Sequence, residues 1–142
     1  MAKTMTWLIG AVALVAAVAA ASASDSDTDY SALRSDARVQ GELLGASEAY
    51  LIDEQCPTIR LRRLKLVGRA LSLNSHAKSL GYTGKEVETY VNDPDEQARF
   101  RKLAMEYLAT LGAVEGDPES FCVAGRALME KGTYAGSLLK GR

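Results

Sequence analysis

The stretch from Cys56 to Leu80, CPTIRLRRLKLVGRALSLNSHAKSL, limits the folds open to this chain more than any other. It is apolar on two sides and basic in its first half. A helix apolar over so much of its circumference needs neighbours on most of its sides. Pro57 stands where a first helical residue belongs, since its missing N–H is not needed there, and Gly81 follows the last apolar residue as a left-handed cap. The pattern predicts one long helix over this stretch. Ile59, Leu66, Ala70, Leu73, Ala77 and Leu80 form its stripe, and Leu61, Leu64, Val67 and Leu71 widen the apolar surface onto a second side. Such a helix is expected at the centre of a bundle.

The chain opens with Lys3, an apolar run from Trp7 to Ala21 and the small residues Ala21-Ser22-Ala23, the pattern of a secretory signal peptide cleaved near Ala23. The run is too short and too rich in alanine to read as a membrane anchor. Removing residues 1–23 from the 142 leaves 119, enough for one domain with a modest core, and 16 bases against 18 acids. A balance this close to neutral gives no global attraction to nucleic acid and allows at most peripheral contact with a membrane. Export to an oxidising compartment, with Cys56 and Cys122 as the two cysteines, predicts a disulfide between them.

Residues 24–36 are polar and aperiodic, and are expected as a flexible lead-in. Asp25, Asp27 and Asp29 alternate like the first ligands of a calcium loop, but Tyr30 and Asp36 occupy positions that need glycine and glutamate. From residue 37 to 142 every segment reads as helix. The first, Ala37 to Ile52, carries Val39, Leu43, Ala46 and Tyr50, with Gly41 and Gly45 weakening it. Thr83 and Glu86 form a capping box for a short helix over 84–91. Asp93-Pro94 starts a helix that turns Phe100, Leu103, Ala104, Tyr107, Leu108 and Leu111 inward and stops at Gly112. Asp117-Pro118 starts another, with Phe121, Ala124, Gly125 and Leu128 on one face; a last short turn runs through Leu138 and Leu139. No run shows strand alternation. The expected fold is an all-α bundle of about five helices in a single domain with one disulfide.

Arg60, Arg62, Arg63, Lys65 and Arg69 crowd the first half of the long helix, where positive charge opposes the helix dipole. They are the candidate docking patch for an anionic partner. The competing reading is a solvated face paired internally with acids such as Glu42, Glu48, Asp53 or Glu54. Cys56, if free, is a candidate nucleophile, but no Cys-x-x-Cys pair accompanies it. His76 is the sole histidine. It excludes a histidine metal cluster within one chain, leaves a lone general base as the functional option, and reads as a polar-face residue. The acids Asp93, Asp95, Glu96, Asp117 and Glu119 are accounted for as helix starts. There is no nucleophile elbow, phosphate loop or dinucleotide fingerprint, so no cofactor is expected.

Cys56 with the arginine-rich stretch, Leu80-Gly81-Tyr82-Thr83, Tyr90-Val91, Ala98-Arg99, Tyr107-Leu108, Gly116 to Cys122, Gly125-Arg126 and Gly132 to Leu139 resemble a family of small exported alphaproteobacterial proteins classed as a domain of unknown function. The resemblance spans roughly residues 40–142. It departs at Ala127-Leu128, where the family carries an acid soon after the Gly-Arg that follows the second cysteine. It implies an exported, disulfide-linked helical domain and supplies no reaction, ligand or site residue.

The leading expectation is therefore a non-enzymatic periplasmic interaction domain that binds an envelope protein or complex. A small acid-stress chaperone is the alternative, and an enzyme built on His76 or Cys56 ranks below both. The sequence leaves the oligomeric state open.

Overall fold

Asp36 starts the helix on which most of the molecule packs: its carboxylate accepts a hydrogen bond from Val39 N at 2.8 Å and opens α2 (Ala37–Gln55). The computed structural model describes residues 28–142. The expected signal peptide lies outside the described residues, as do Asp25 and Asp27 of the failed calcium pattern. Around α2 are α1 (Ser31–Ser35), β1 (Ile59–Leu61), α3 (Arg63–Ser79), α4 (Gly84–Asn92), α5 (Pro94–Thr110), α6 (Pro118–Glu130), α7 (Tyr134–Ser137) and β2 (Leu139–Gly141). The fold is all-α apart from this one small sheet, and its helices among the described residues number seven rather than about five.

The stretch from Cys56 to Leu80 is not one helix. Helix α2 ends at Gln55, Pro57 and Thr58 turn, and β1 pairs antiparallel with β2 in the register Ile59↔Gly141, Arg60↔Lys140 and Leu61↔Leu139. The reason lies in period two. In a helix Ile59 and Leu61 would diverge by about 200°, whereas a strand sends both to one face. Both are buried while Arg60 between them is exposed. The tail is corrected with it: α7 stops at Ser137, and Leu139 is buried as a strand residue.

The remaining helix, α3, is peripheral rather than central. Only Ala77 along it is buried. Leu66 and Leu73 pack inward, while Leu64, Val67 and Leu71 face out at 92, 56 and 64 % exposure. Its end matches expectation, with Gly81 at φ 104°. The 24–36 segment is corrected too: from Thr28 onward it is folded, with Leu33 of α1 fully buried and Tyr30 stacked on Tyr82 at 5.8 Å between centroids.

The helix starts agree with their sequence signals. Thr83 Oγ1 accepts from Glu86 N and the Glu86 carboxylate accepts from Thr83 N, completing the capping box; Asp93 caps α5 and Asp117 caps α6. Two hydrophobic clusters result. The larger joins Leu51 and Ile52 of α2, Ile59, Leu61, Ala104, Leu108, Phe121, Leu128, Leu138 and Leu139, and holds the Cys56–Cys122 disulfide, whose Cα atoms are 5.1 Å apart. The smaller joins Leu33, Val39, Ala77, Val87 and Tyr90. Tyr50, Leu103 and Tyr107, expected to face the core, are instead partly exposed at 51, 38 and 37 %. Gly45, a weak point for an isolated helix, is where α7 docks: a Cβ there would lie 2.6 Å from the Tyr134 ring.

Candidate docking surface

The β1–β2 pairing and the start of α3 place four of the five candidate basic residues together. Arg60, Arg62, Arg63 and Lys65 line a surface cavity of about 430 Å³ with Leu61, Leu64 and Lys140. Arg62 is held in place at the strand-to-helix junction: its backbone N–H donates to Leu138 O at 2.7 Å and its Nε to Leu139 O at 2.9 Å. Arg69 does not join them. It lies over the Tyr134 ring at 5.6 Å. Tyr134 in turn donates to Glu42, and burial pushes its phenol up to about 12.

Lys140 is the member that sequence reasoning missed. It stands far from Arg60 in the chain, and the strand register alone brings the two opposite each other. The signal was the Ile59/Leu61 alternation, too short to stand out from helical surroundings.

The acids proposed to neutralise this face are mostly engaged elsewhere. Glu42 pairs with Arg38 at 2.8 Å and Glu54 with Arg101 at 3.1 Å. Glu48 is buried among α2 contacts with no hydrogen-bond partner among the described residues, and its burial raises it to about 7. Asp53 alone reaches the patch, 3.9 Å from Arg63 and 3.6 Å from Arg142, while also accepting from Leu61 N. Arg60, Lys65 and Lys140 have no ion-pair partner among the described residues.

The charge is segregated over a long range. Residues 55–85 contain seven of the chain's 17 bases and none of its 18 acids. Helix α3 adds to the same sign: no side chain caps its N-terminus and no acid lies in its first turn, whereas α2, α4, α5 and α6 each begin with a capping side chain. Within this positive field stands the exposed apolar row Leu64, Val67 and Leu71, spaced three and four residues apart on one helix face. Apolar periodicity alone puts these residues on buried surface, and the structure turns them outward.

The other candidates serve as struts. His76 Nε2 lies 3.0 Å from both carboxylate oxygens of Asp36 and ties the last turn of α3 to the start of α2. The Val39 N–H, and after it His76, holds Asp36 below the usual carboxylate range. Cys56 is bonded to Cys122 and so is not a thiol. Glu96 is more than a helix-start acid. Arg34 Nε donates to it at 2.6 Å, Arg99 at 2.8 Å and Tyr90 Oη at 3.3 Å, and Gln40 bridges Arg99 and Tyr90. Burial pushes Glu96 up, but the two guanidinium groups outweigh it and hold the carboxyl below its ordinary value. Asp117 caps α6 and Glu119 pairs with Arg126. Among the described residues no three histidine, cysteine or acidic side chains gather to hold a metal, and no helix is long and apolar enough to cross a membrane.

The family model described as Family of unknown function (DUF5333) matches residues 31–140. No curated protein and no solved structure matches the chain.

Proposed function

This chain belongs to the Family of unknown function (DUF5333), and from its surface we propose that it is a non-enzymatic, exported interaction domain that docks an envelope protein or complex through the outward face of α3. The observation that carries this reading is Leu64, 92 % exposed amid basic residues that are largely without acidic partners among the described residues. An exposed leucine alone is ordinary, but a row of three on one helix, rimmed mainly by basic residues, is surface suited to a partner. The disulfide supports an oxidising location.

The test is recovery of the natively expressed protein, tagged through a spacer after Arg142, from periplasmic extract and gently solubilised membranes after mild cross-linking. A stoichiometric protein is expected with the natural chain and absent with Leu64→Asp/Leu71→Asp. Equal recovery with both chains, or no protein with either, would overturn the reading.

A second reading, an acid-stress chaperone, is favoured by one contrast. The larger core is locked by a disulfide, while the smaller is bordered by charge contacts, Glu96 with Arg34 and Arg99, and Asp36 with His76. Protonating these carboxylates removes contacts that border the second, while the disulfide in the first is unaffected. Client protection at low pH without loss of the disulfide-linked core supports this role; unchanged dye binding in acid counts against it.

A further inference from the structure

Resting on the docking role of α3, we infer that the docked element is an amphipathic helix with an apolar seam flanked by carboxylates. The row on α3 is narrow. Leu64 and Leu71 are seven residues apart with Val67 between them, and the same line continues into Asn74 and Lys78. Leu64, Val67 and Leu71 keep the spacing of a coiled-coil seam for just over one heptad, and the polar residues that follow stop the pairing. Gly68 borders the seam, and nothing lies within 4 Å of where its Cβ would stand, which leaves room for another helix to approach closely.

Charge and width choose among the occupants. A bilayer surface calls for a broad face with bulky aromatic anchors, and this face presents two leucines and a valine with no aromatic residue along α3. A second copy would set a helix without acids against another without acids, with Arg63 and Lys65 facing like charges. A helix carrying glutamate or aspartate beside its apolar seam satisfies both features. Its leucines cover Leu64, Val67 and Leu71 while its carboxylates meet Arg63, Lys65 and the Arg60/Lys140 cavity.

The probes are two synthetic three-heptad peptides with leucine at both seam positions, one with glutamate and one with lysine at the flanking positions. Each is titrated into the isotope-labelled, disulfide-bonded protein. The glutamate peptide is expected to shift amide resonances of residues 60–71 and 140 and to bind at least about tenfold more tightly than the lysine peptide. Leu64→Asp/Leu71→Asp should abolish binding, and Arg63→Glu/Lys65→Glu should reverse the preference. Equal affinity for both peptides, shifts elsewhere, or no binding overturns the inference. So does co-sedimentation with phosphatidylglycerol vesicles without peptide binding, which assigns the face to lipid. Self-association abolished by Leu64→Asp assigns it to a second copy. If a captured protein is lost on Leu64→Asp yet the glutamate peptide leaves α3 unperturbed, the docking role stands and the acidic helix falls.

Discussion

Arg60 and Lys140 stand directly opposite each other across the antiparallel pair β1–β2, two like charges in register on an exposed face. Cross-strand like charges destabilise a sheet, and this pair is one of only three in the register. Lys140→Glu should therefore stabilise the protein by roughly 0.2–1 kcal/mol, read as a raised melting temperature by circular dichroism. The same change should weaken capture of the partner. Stabilisation without loss of capture would show that the pair plays no part in docking.

Gly125 and Gly68 should respond oppositely to the same substitution. A Cβ at Gly125 would lie 2.7 Å from Ile52 Cγ2 and 2.8 Å from Ile59 Cδ1, inside the larger core. Gly125→Ala is expected to cost about 1–3 kcal/mol by overpacking. Gly68→Ala meets open space on a helix interior and should gain about 0.5–1 kcal/mol. Paired denaturant titrations decide it.

Opening the disulfide should act on one core more than the other. The bridge closes a separation of 66 residues, for which chain entropy gives roughly 4 kcal/mol. Cys56→Ala/Cys122→Ala should lower stability by about that amount, with hydrogen exchange accelerating around Leu51, Ile52, Phe121 and Leu128 before it does around Val39 and Tyr90. Uniform acceleration would mean that the two clusters unfold together.

The pH dependence has two limbs of opposite sign. Glu48 is raised from 4.5 to about 7 in the folded protein. Its proton binding favours the folded state most below 4.5, and that contribution is lost as pH rises to about 7. Glu48→Gln should flatten this limb and stabilise the protein at pH 8 by up to about 3 kcal/mol. Glu96 and Asp36 are lowered, so they contribute stability above their ordinary values and lose it as pH falls through the lower folded values. Glu96→Gln should cost about 1–3 kcal/mol at pH 7 and blunt the acid limb. A protein whose stability is flat from pH 3 to 8 would contradict both assignments.

Much of the fold was legible because its signals were local. Thr83 with Glu86, Asp93 with Pro94, and Asp117 with Pro118 mark helix starts through contacts spanning two or three residues, and each was found where the sequence put it. The signals that failed depended on distant partners. Ile59 and Leu61 form a strand only because Leu139 arrives beside them, and three residues of alternation cannot compete with the helical periodicity that surrounds them. Leu64 and Leu71 read as core because apolar character does not say whether a neighbour will cover it. The polar network at Glu96 was invisible for the same reason: Arg34 and Gln40 come from another part of the chain. Of the candidate patch, the sequence supplied Arg60, Arg62, Arg63 and Lys65. It could not supply Lys140 or remove Arg69.

The union of β1 with β2 has a consequence for timing. Helices form from neighbours in the chain, whereas Arg60 and Lys140 meet only by closing a long loop, whose entropy cost precedes the reward of the pairing. The basic cavity between them therefore exists only where this long-range pairing has formed. A partner that recognised it would bind completed molecules and pass over unfinished ones, so a docking surface built here would also certify that folding had been achieved.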